Sequence, residues 1–230
     1  MKYKESNIHS IEPVTLFTIV EPNSQISEQY KKIRTNIMYG QKIAVKSFIV
    51  TSDGPGEGKS TTAANLAISF SQLGFKTILV DADMRRPTVH LTFDLDNSFG
   101  LSNLLSIKNL IVKDVINENV LSKLDVLTSG TRVMNPSELL SNRRMKRLIV
   151  LLQKNYDIII FDMPPVSLVT DAQILAPNVD GVVIVVRENI TQKNSLKQTV
   201  KLIERVGGNI LGAVYLSEQE KGKRNNYYYY

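Results

Sequence analysis

Thr51-Ser52-Asp53-Gly54-Pro55-Gly56-Glu57-Gly58-Lys59-Ser60-Thr61 stands between an apolar run that ends at Thr51 and a helical pattern that runs from Thr62 to Leu73. Strand, glycine-rich loop and helix in that order make a phosphate-binding loop. Backbone N–H groups of Gly56, Gly58 and Lys59 wrap an anionic phosphate only where no Cβ atom obstructs them, and the helix that follows points its positive end at the same anion. Lys59 then reaches the outer phosphates, and the Ser60 hydroxyl reaches Mg²⁺. Gly54, Glu57 and Thr61 complete the expected nucleotide-binding set. The spacing departs from the usual loop at one point: Asp53 stands six residues before the lysine, where a glycine is usual, and Gly54 comes one step late.

Outward from the loop, short apolar runs alternate with helical patterns. Ile26, Tyr30, Ile33 and Ile37 recur at helical spacing within Ser24 to Gly40. Strands are expected at Phe48–Thr51, Lys76–Asp81, Leu124–Thr128, Tyr156–Asp162, Gly181–Arg187 and Ile210–Leu216. Helices are expected at Lys59–Leu73, near Leu101–Leu105, from Pro136 to about Lys154, near Asp171–Ala176 and at Thr191–Val206. Asn135-Pro136-Ser137-Glu138 reads as a helix start, with Asn135 as the N-cap and Glu138 reaching back. Alternation of this kind needs right-handed crossovers. The expected fold is therefore α/β: a P-loop NTPase with a mostly parallel, doubly wound sheet and helices on both faces. Residues 1–23 show no sustained period and read as a mobile or partner-dependent arm with an extended piece at Thr15–Val20. Residues 24–217 read as the catalytic domain and residues 218–230 as a flexible tail.

Two further strands end in carboxylates. Asp81 and Asp83 follow Thr77-Ile78-Leu79-Val80, and Asp162 follows Ile158-Ile159-Ile160-Phe161. Ligands of open parallel sheets bind at the carboxyl ends of the strands, so all three converge on the phosphate loop. A nucleoside triphosphate carries its charge as a Mg²⁺ complex, and hard carboxylate oxygens, or water bound to them, hold that ion. Asp162 fits a water-mediated metal contact. Asp81 fits either Mg²⁺ or the proton of an attacking hydroxyl, with Asp83 as the alternative base. Arg85 and Arg86 are candidates to clamp phosphate or to pair with neighbouring acids.

Composition narrows the function classes. The 230 residues include no cysteine, which excludes thiolate metal sites, iron–sulfur clusters, disulfides and cysteine nucleophiles. No apolar run approaches the roughly 18 residues of a membrane span, and the first residues lead into no signal-peptide core, so a cytoplasmic location is expected. A formal charge of +6 permits attraction to nucleic acid, to an anionic membrane face or to an acidic partner without choosing among them. The sequence closes on Lys221-Gly222-Lys223-Arg224-Asn225-Asn226-Tyr227-Tyr228-Tyr229-Tyr230. Four adjacent tyrosines with no apolar partner nearby are poor core residues, and a mobile segment is what an active site can admit. Phosphorylation would add about −1.5 to −2 charges per tyrosine and turn a basic tail acidic, which would expel it from an acidic site and loosen subunit contacts.

Together these segments resemble the bacterial tyrosine kinases of capsular and exopolysaccharide systems, the cytoplasmic partners of polysaccharide chain-length regulators. The resemblance covers about Ser24 to Leu216 plus the tail. It rests on Ile49-Val50-Thr51-Ser52 through Ser60, on Ile78 through Pro87, on Ile160-Phe161-Asp162-Met163-Pro164-Pro165, on Asn135 through Leu140, and on the terminal tyrosines. It implies ATP- and Mg²⁺-dependent autophosphorylation of Tyr227, Tyr228, Tyr229 and Tyr230, in trans within a ring of subunits. It implies stimulation by the cytoplasmic segment of a transmembrane adaptor, which would hold the kinase at the inner face of the plasma membrane. Lys59, Ser60, Asp81, Asp83 and Asp162 take the family's nucleotide, metal and catalytic positions. The family's ring-contact helix carries Glu-x-x-Arg-x-x-Arg, and this sequence has Glu28, Lys31 and Arg34. Lysine cannot form the bidentate fork of arginine, which implies a weaker ring. Leu216 replaces an asparagine common in relatives near the base, and Met163 replaces a threonine.

The main rival is a division-site or plasmid-partition ATPase switch, which shares the loop and the acidic strand ends. Such switches often carry a second lysine early in the loop, and positions 52 to 55 have none. A non-catalytic interaction protein is the other class considered. Its best support, Arg143-Arg144-Met145-Lys146-Arg147, reads as a solvated helix face. No aromatic interleaving suggests nucleic-acid readout, so no nucleic-acid partner is expected.

Overall fold

The apolar run before the glycine-rich loop forms β1 (Ser47–Ser52), and all six of its residues are buried, as a strand covered on both faces requires. The computed structural model describes residues 12–217. The other strands are β2 (Thr77–Asp81), β3 (Ile116–Leu121), β4 (Leu124–Leu127), β5 (Ile158–Asp162), β6 (Gly181–Arg187) and β7 (Ile210–Leu216), in the order β3-β4-β2-β5-β1-β6-β7. Neighbours are parallel except β3 and β4.

The pleat sends alternate side chains into two apolar layers. Phe48 and Val50 meet α1 (Phe17–Val20), α2 (Gln25–Tyr39), α3 (Lys59–Gln72) and α4 (Val89–Thr92). Ile49 meets the opposite layer, built on α5 (Leu101–Ser106), α6 (Pro136–Ser141), α7 (Arg143–Asn155), α8 (Asp171–Leu175) and α9 (Lys193–Arg205). The doubly wound, mostly parallel architecture is as expected.

Several local features differ. The single helix expected from Pro136 to about Lys154 is two helices, because Asn142 adopts an extended backbone (φ −67°, ψ 149°) between them. Its side chain accepts the Arg144 N–H at 3.0 Å and so starts α7. Asn135 does not cap α6 with its side chain; its amide donates instead to Glu138 Oε1 at 3.3 Å. Strand β3 was not anticipated, since Asn117, Glu118 and Asn119 interrupt its apolar pattern. Asn119 takes a positive φ of 53° and donates its N–H to Asp125, which pins the irregular pairing.

The stretch expected to be extended at Thr15–Val20 contains the short helix α1, and it is tied down. Asn65 of α3, fully buried, accepts from the Thr18 N–H at 3.0 Å and from its hydroxyl at 3.1 Å. The Asn65 amide donates to the Thr15 and Thr61 carbonyls, both at 2.9 Å. Asn65→Ala strands the Thr18 N–H and the Thr15 carbonyl, so we expect a loss of about 2–4 kcal/mol and a melting temperature roughly 5–10 °C lower. Thermal unfolding of the two proteins checks this, and an unchanged melting temperature would show that the staple is dispensable.

Candidate active site

Strands β1, β2 and β5 lie side by side, and their register sets the charges of the site. Asp81 at the end of β2 pairs directly with Asp162 at the end of β5, so two carboxylates are adjacent across the ladder, and neither is exposed. The glycine-rich loop leaves β1 beside them. Gly56 and Gly58 have φ of +74° and +90°, the left-handed region that glycine enters without strain. A Cβ on Gly58 would stand 2.5 Å from Leu216 Cδ1, so the end of that side chain would have to shift.

Helix α3 begins at Lys59 and throws its side chain toward both carboxylate strands. The ammonium donates to Asp83 Oδ2 at 2.8 Å and to Ser60 Oγ at 3.2 Å, and lies 3.8 Å from Asp162 Oδ1. Burial alone would lower the pKa of Lys59, but the charges of Asp162, Asp83 and Asp81 more than offset it, and the amine is held above its ordinary value. Asp81 is pushed well above the usual carboxylate range, first by burial and then by the charge of Asp162; the Val89 N–H, at 3.1 Å from Oδ2, works in the opposite direction. Burial likewise raises Asp162, while the Lys59 charge and the nearby Ser60 hydroxyl ease it.

Three of these carboxylate oxygens bear on a metal. Asp162 Oδ1 and Oδ2 and Asp81 Oδ1 are buried and accept no hydrogen bond. Buried oxygens of this kind ordinarily have partners, and water bound to a hard cation would supply them. Among the described residues no cluster of three or more His, Cys, Asp or Glu could cage an ion unaided. Mg²⁺ is typically held by one or two carboxylates, water and substrate phosphates.

Two adjoining cavities share Gly58, Thr61 and Arg187. One, of about 630 Å³, opens over Lys59, Ser60, Asp83 and Arg85; the other, of about 770 Å³, lies between α2 and β7 and is floored by Leu216. Leu216 therefore stands where the loop meets the second cavity and offers an apolar surface, not an amide.

Lys59, Ser60, Asp81, Asp83 and Asp162 are thus brought together as expected. Glu57 is different: its carboxylate turns inward and accepts the Asp53 N–H at 3.0 Å. Arg85 lines the first cavity, but its guanidinium forms a two-pronged pair with the fully buried Asp171, at 3.0 Å for each contact, and also donates to Ser137. Of the helix residues expected at a subunit contact, Glu28 and Lys31 pair with each other at 2.6 Å, while Arg34 donates to the carbonyl and hydroxyl of Ser69 on α3. Sequence reasoning missed Asp171, Ser137, Ser167, Arg187 and Thr199. They sit 52 to 146 residues from the site partners they bond, and no local spacing signals them.

Strand order, glycine-rich loop and acidic strand ends define a P-loop nucleotide-binding protein. A protein-family model described as "AAA domain" matches residues 45–211. The chain is 40% identical over 216 residues to the putative tyrosine-protein kinase CapB of Staphylococcus aureus, spanning 94% of each. It is 42% identical to the tyrosine-protein kinase YwqD of Bacillus subtilis (strain 168), over 94% of this chain and 90% of that one. Among solved structures it is similar to the chimerical protein CapA2B2, with a TM-score of 0.84 and 42% identity over 92% of this chain and 94% of that one. The chain belongs to this family of bacterial tyrosine-protein kinases, and its site is that of a P-loop kinase that uses ATP.

Proposed function

We propose that this kinase transfers the γ-phosphoryl group of ATP to its own tyrosine cluster, Tyr227–Tyr230, presented by a neighbouring copy. We place that activity in a capsular or exopolysaccharide system, at the membrane face, beside a transmembrane chain-length regulator whose cytoplasmic segment stimulates it. The observation that carries the reading is the Lys59 ammonium held among Asp83, Asp162 and Asp81 at the end of a phosphate loop. The family relationship supports it. The tyrosine cluster itself lies outside the described residues, and no helix among the described residues is long and apolar enough to cross a membrane.

The chemistry follows from charge. Phosphoryl transfer depends on positioning and on neutralising the spread charge of the transferring group. The loop N–H groups and Lys59 hold the β- and γ-phosphates, and phosphate oxygens compete with Asp83 and Ser60 for the ammonium. Ser60, Asp81 and Asp162 would hold Mg²⁺, which when bound would neutralise the charge that develops on the transferring group. Asp81 takes the proton of the incoming tyrosine hydroxyl: its Oδ1 is unpartnered and its proton affinity is raised, whereas both oxygens of Asp83 are engaged, with Lys59 and with the Arg86 N–H. The phenolic oxygen bonds to the γ-phosphorus, the bond from that phosphorus to the bridging oxygen breaks, and ADP leaves with the electron pair. Glu28, Lys31 and Arg34 would mark the helix through which copies form the ring.

A mixing experiment tests self-phosphorylation in trans. Enzyme truncated after Asn226 is incubated with Mg-ATP and full-length Lys59→Met protein as acceptor. We expect ATP binding by the truncated enzyme to be intact and phosphotyrosine to accumulate on the acceptor's tail. No transfer to the acceptor, alongside robust labelling of wild type alone, would contradict it.

A further inference from the structure

Asp53, the residue that breaks the usual loop spacing, is built into the structure through three groups. Its N–H donates to Glu57 Oε2 at 3.0 Å, and its carbonyl accepts the N–H and the hydroxyl of Ser167 from the segment after β5. Its carboxylate Oδ1 accepts the hydroxyl of Thr199, 146 residues away on α9, at 2.7 Å. Asp53 is 7% exposed and Thr199 1%. Only two residues of α9 are fully covered, Thr199 and Ile203, and Thr199 is the polar one.

Two buried carboxylates, Asp53 and Glu57, within a loop that receives a phosphate work against binding by simple charge. Their geometry supplies a compensating use, because each fixes the loop backbone or ties it to another element. The other side of the loop is held in the same way: Arg187, at the end of β6, donates to the Gly56 carbonyl at 3.0 Å. The unit formed by β6 and α9 therefore grips the phosphate loop at Gly56 and at Asp53.

Resting on the nucleotide-site reading above, we infer that Thr199 and Asp53 are a positioning pair: α9 holds the phosphate loop in its binding shape through this bond, and the pair sets affinity for the triphosphate. Neither residue touches the reacting atoms. Loss of the bond frees the loop to sample other shapes, so binding weakens while the bound complex reacts normally.

The test uses the full-length protein carrying Thr199→Val, which keeps the shape of the side chain and removes the donor. We expect the Kd for a fluorescent ATP analogue and the KM for ATP each to rise about tenfold, in line with a stranded buried acceptor, with kcat within about twofold. Thr199→Ser, which keeps the hydroxyl, should restore both constants. Asp53→Ala removes the acceptor and its charge together. If the tether governs affinity, binding weakens again and adding Thr199→Val has no further effect; tighter binding would show that charge outweighs the tether. Unchanged Kd in Thr199→Val, an equal loss in Thr199→Ser, or a fall in kcat at constant KM would each overturn the proposal. Where Thr199→Val folds poorly, the Asp53→Ala affinity decides alone. Failure of the kinase reading is separable: wild type would bind the analogue and respond to these substitutions, yet form no phosphotyrosine.

Discussion

Lys59→Met should reduce phosphotyrosine formation by at least about 10³-fold, since removing one preorganised donor from such a site already costs 10²–10³ in rate. The effect is larger here because the lost group is a cation placed among three acids, and the γ-phosphate gains no replacement. The same substitution should destabilise the ligand-free fold. Breaking a buried pair from one side costs about 3–5 kcal/mol, and Asp83 loses its 2.8 Å partner. Part of that loss is relieved by protonation of the carboxylates, so the variant should recover stability relative to wild type on acidification. Radiolabel transfer and thermal unfolding across pH read the two effects. Wild-type phosphorylation by the methionine variant would remove Lys59 from the mechanism.

Asp81→Asn should separate activity from stability. A proton acceptor contributes about 10²–10⁴-fold, and the amide can neither accept that proton nor hold a metal-bound water with charge. Yet the ligand-free protein should become more stable, because Asp81 and Asp162 are paired in register and both unexposed, and burial with like charge raises the proton affinity of Asp81. The sign follows from proton uptake: where Asp81 is protonated in the fold and ionised in the unfolded chain, wild-type stability declines as pH rises from the ordinary 3.8 through the raised folded value. Asparagine has no such decline. Above that window the variant should be more stable by about 1–2 kcal/mol, or roughly 3–6 °C, in metal-free buffer. A lower melting temperature throughout would mean that Asp81 is a structural anchor for Val89, not a strained site acid.

The loop, the three acidic strand ends and the parallel sheet were legible because each has a local cause. Glycines mark the turn, apolar runs mark buried strands, and a carboxylate at a strand end lies at the binding edge. The break at Asn142 was legible in principle, since Asn before Arg143-Arg144 is an N-cap, but an unbroken apolar period from Pro136 concealed it. Strand β3 was not, because its pairing depends on Asp125 accepting from Asn119 in an otherwise polar stretch. The partners that set geometry, Thr199 for Asp53 and Asp171 for Arg85, come together only through the fold. Arg85 illustrates the limit: its charge suited either a phosphate or a neighbouring acid, and only the fold brings the buried carboxylate of Asp171 to the guanidinium.

The most direct test follows the γ-phosphoryl group itself. Full-length protein is incubated with Mg-ATP labelled at the γ-position, and labelled tyrosine and free phosphate are counted for wild type and Lys59→Met. The arrangement of Lys59, Ser60, Asp81 and Asp162 predicts label on Tyr227–Tyr230 in wild type and none in the variant. Label released as free phosphate, with no phosphotyrosine in wild type, would contradict it and leave an ATPase switch in its place.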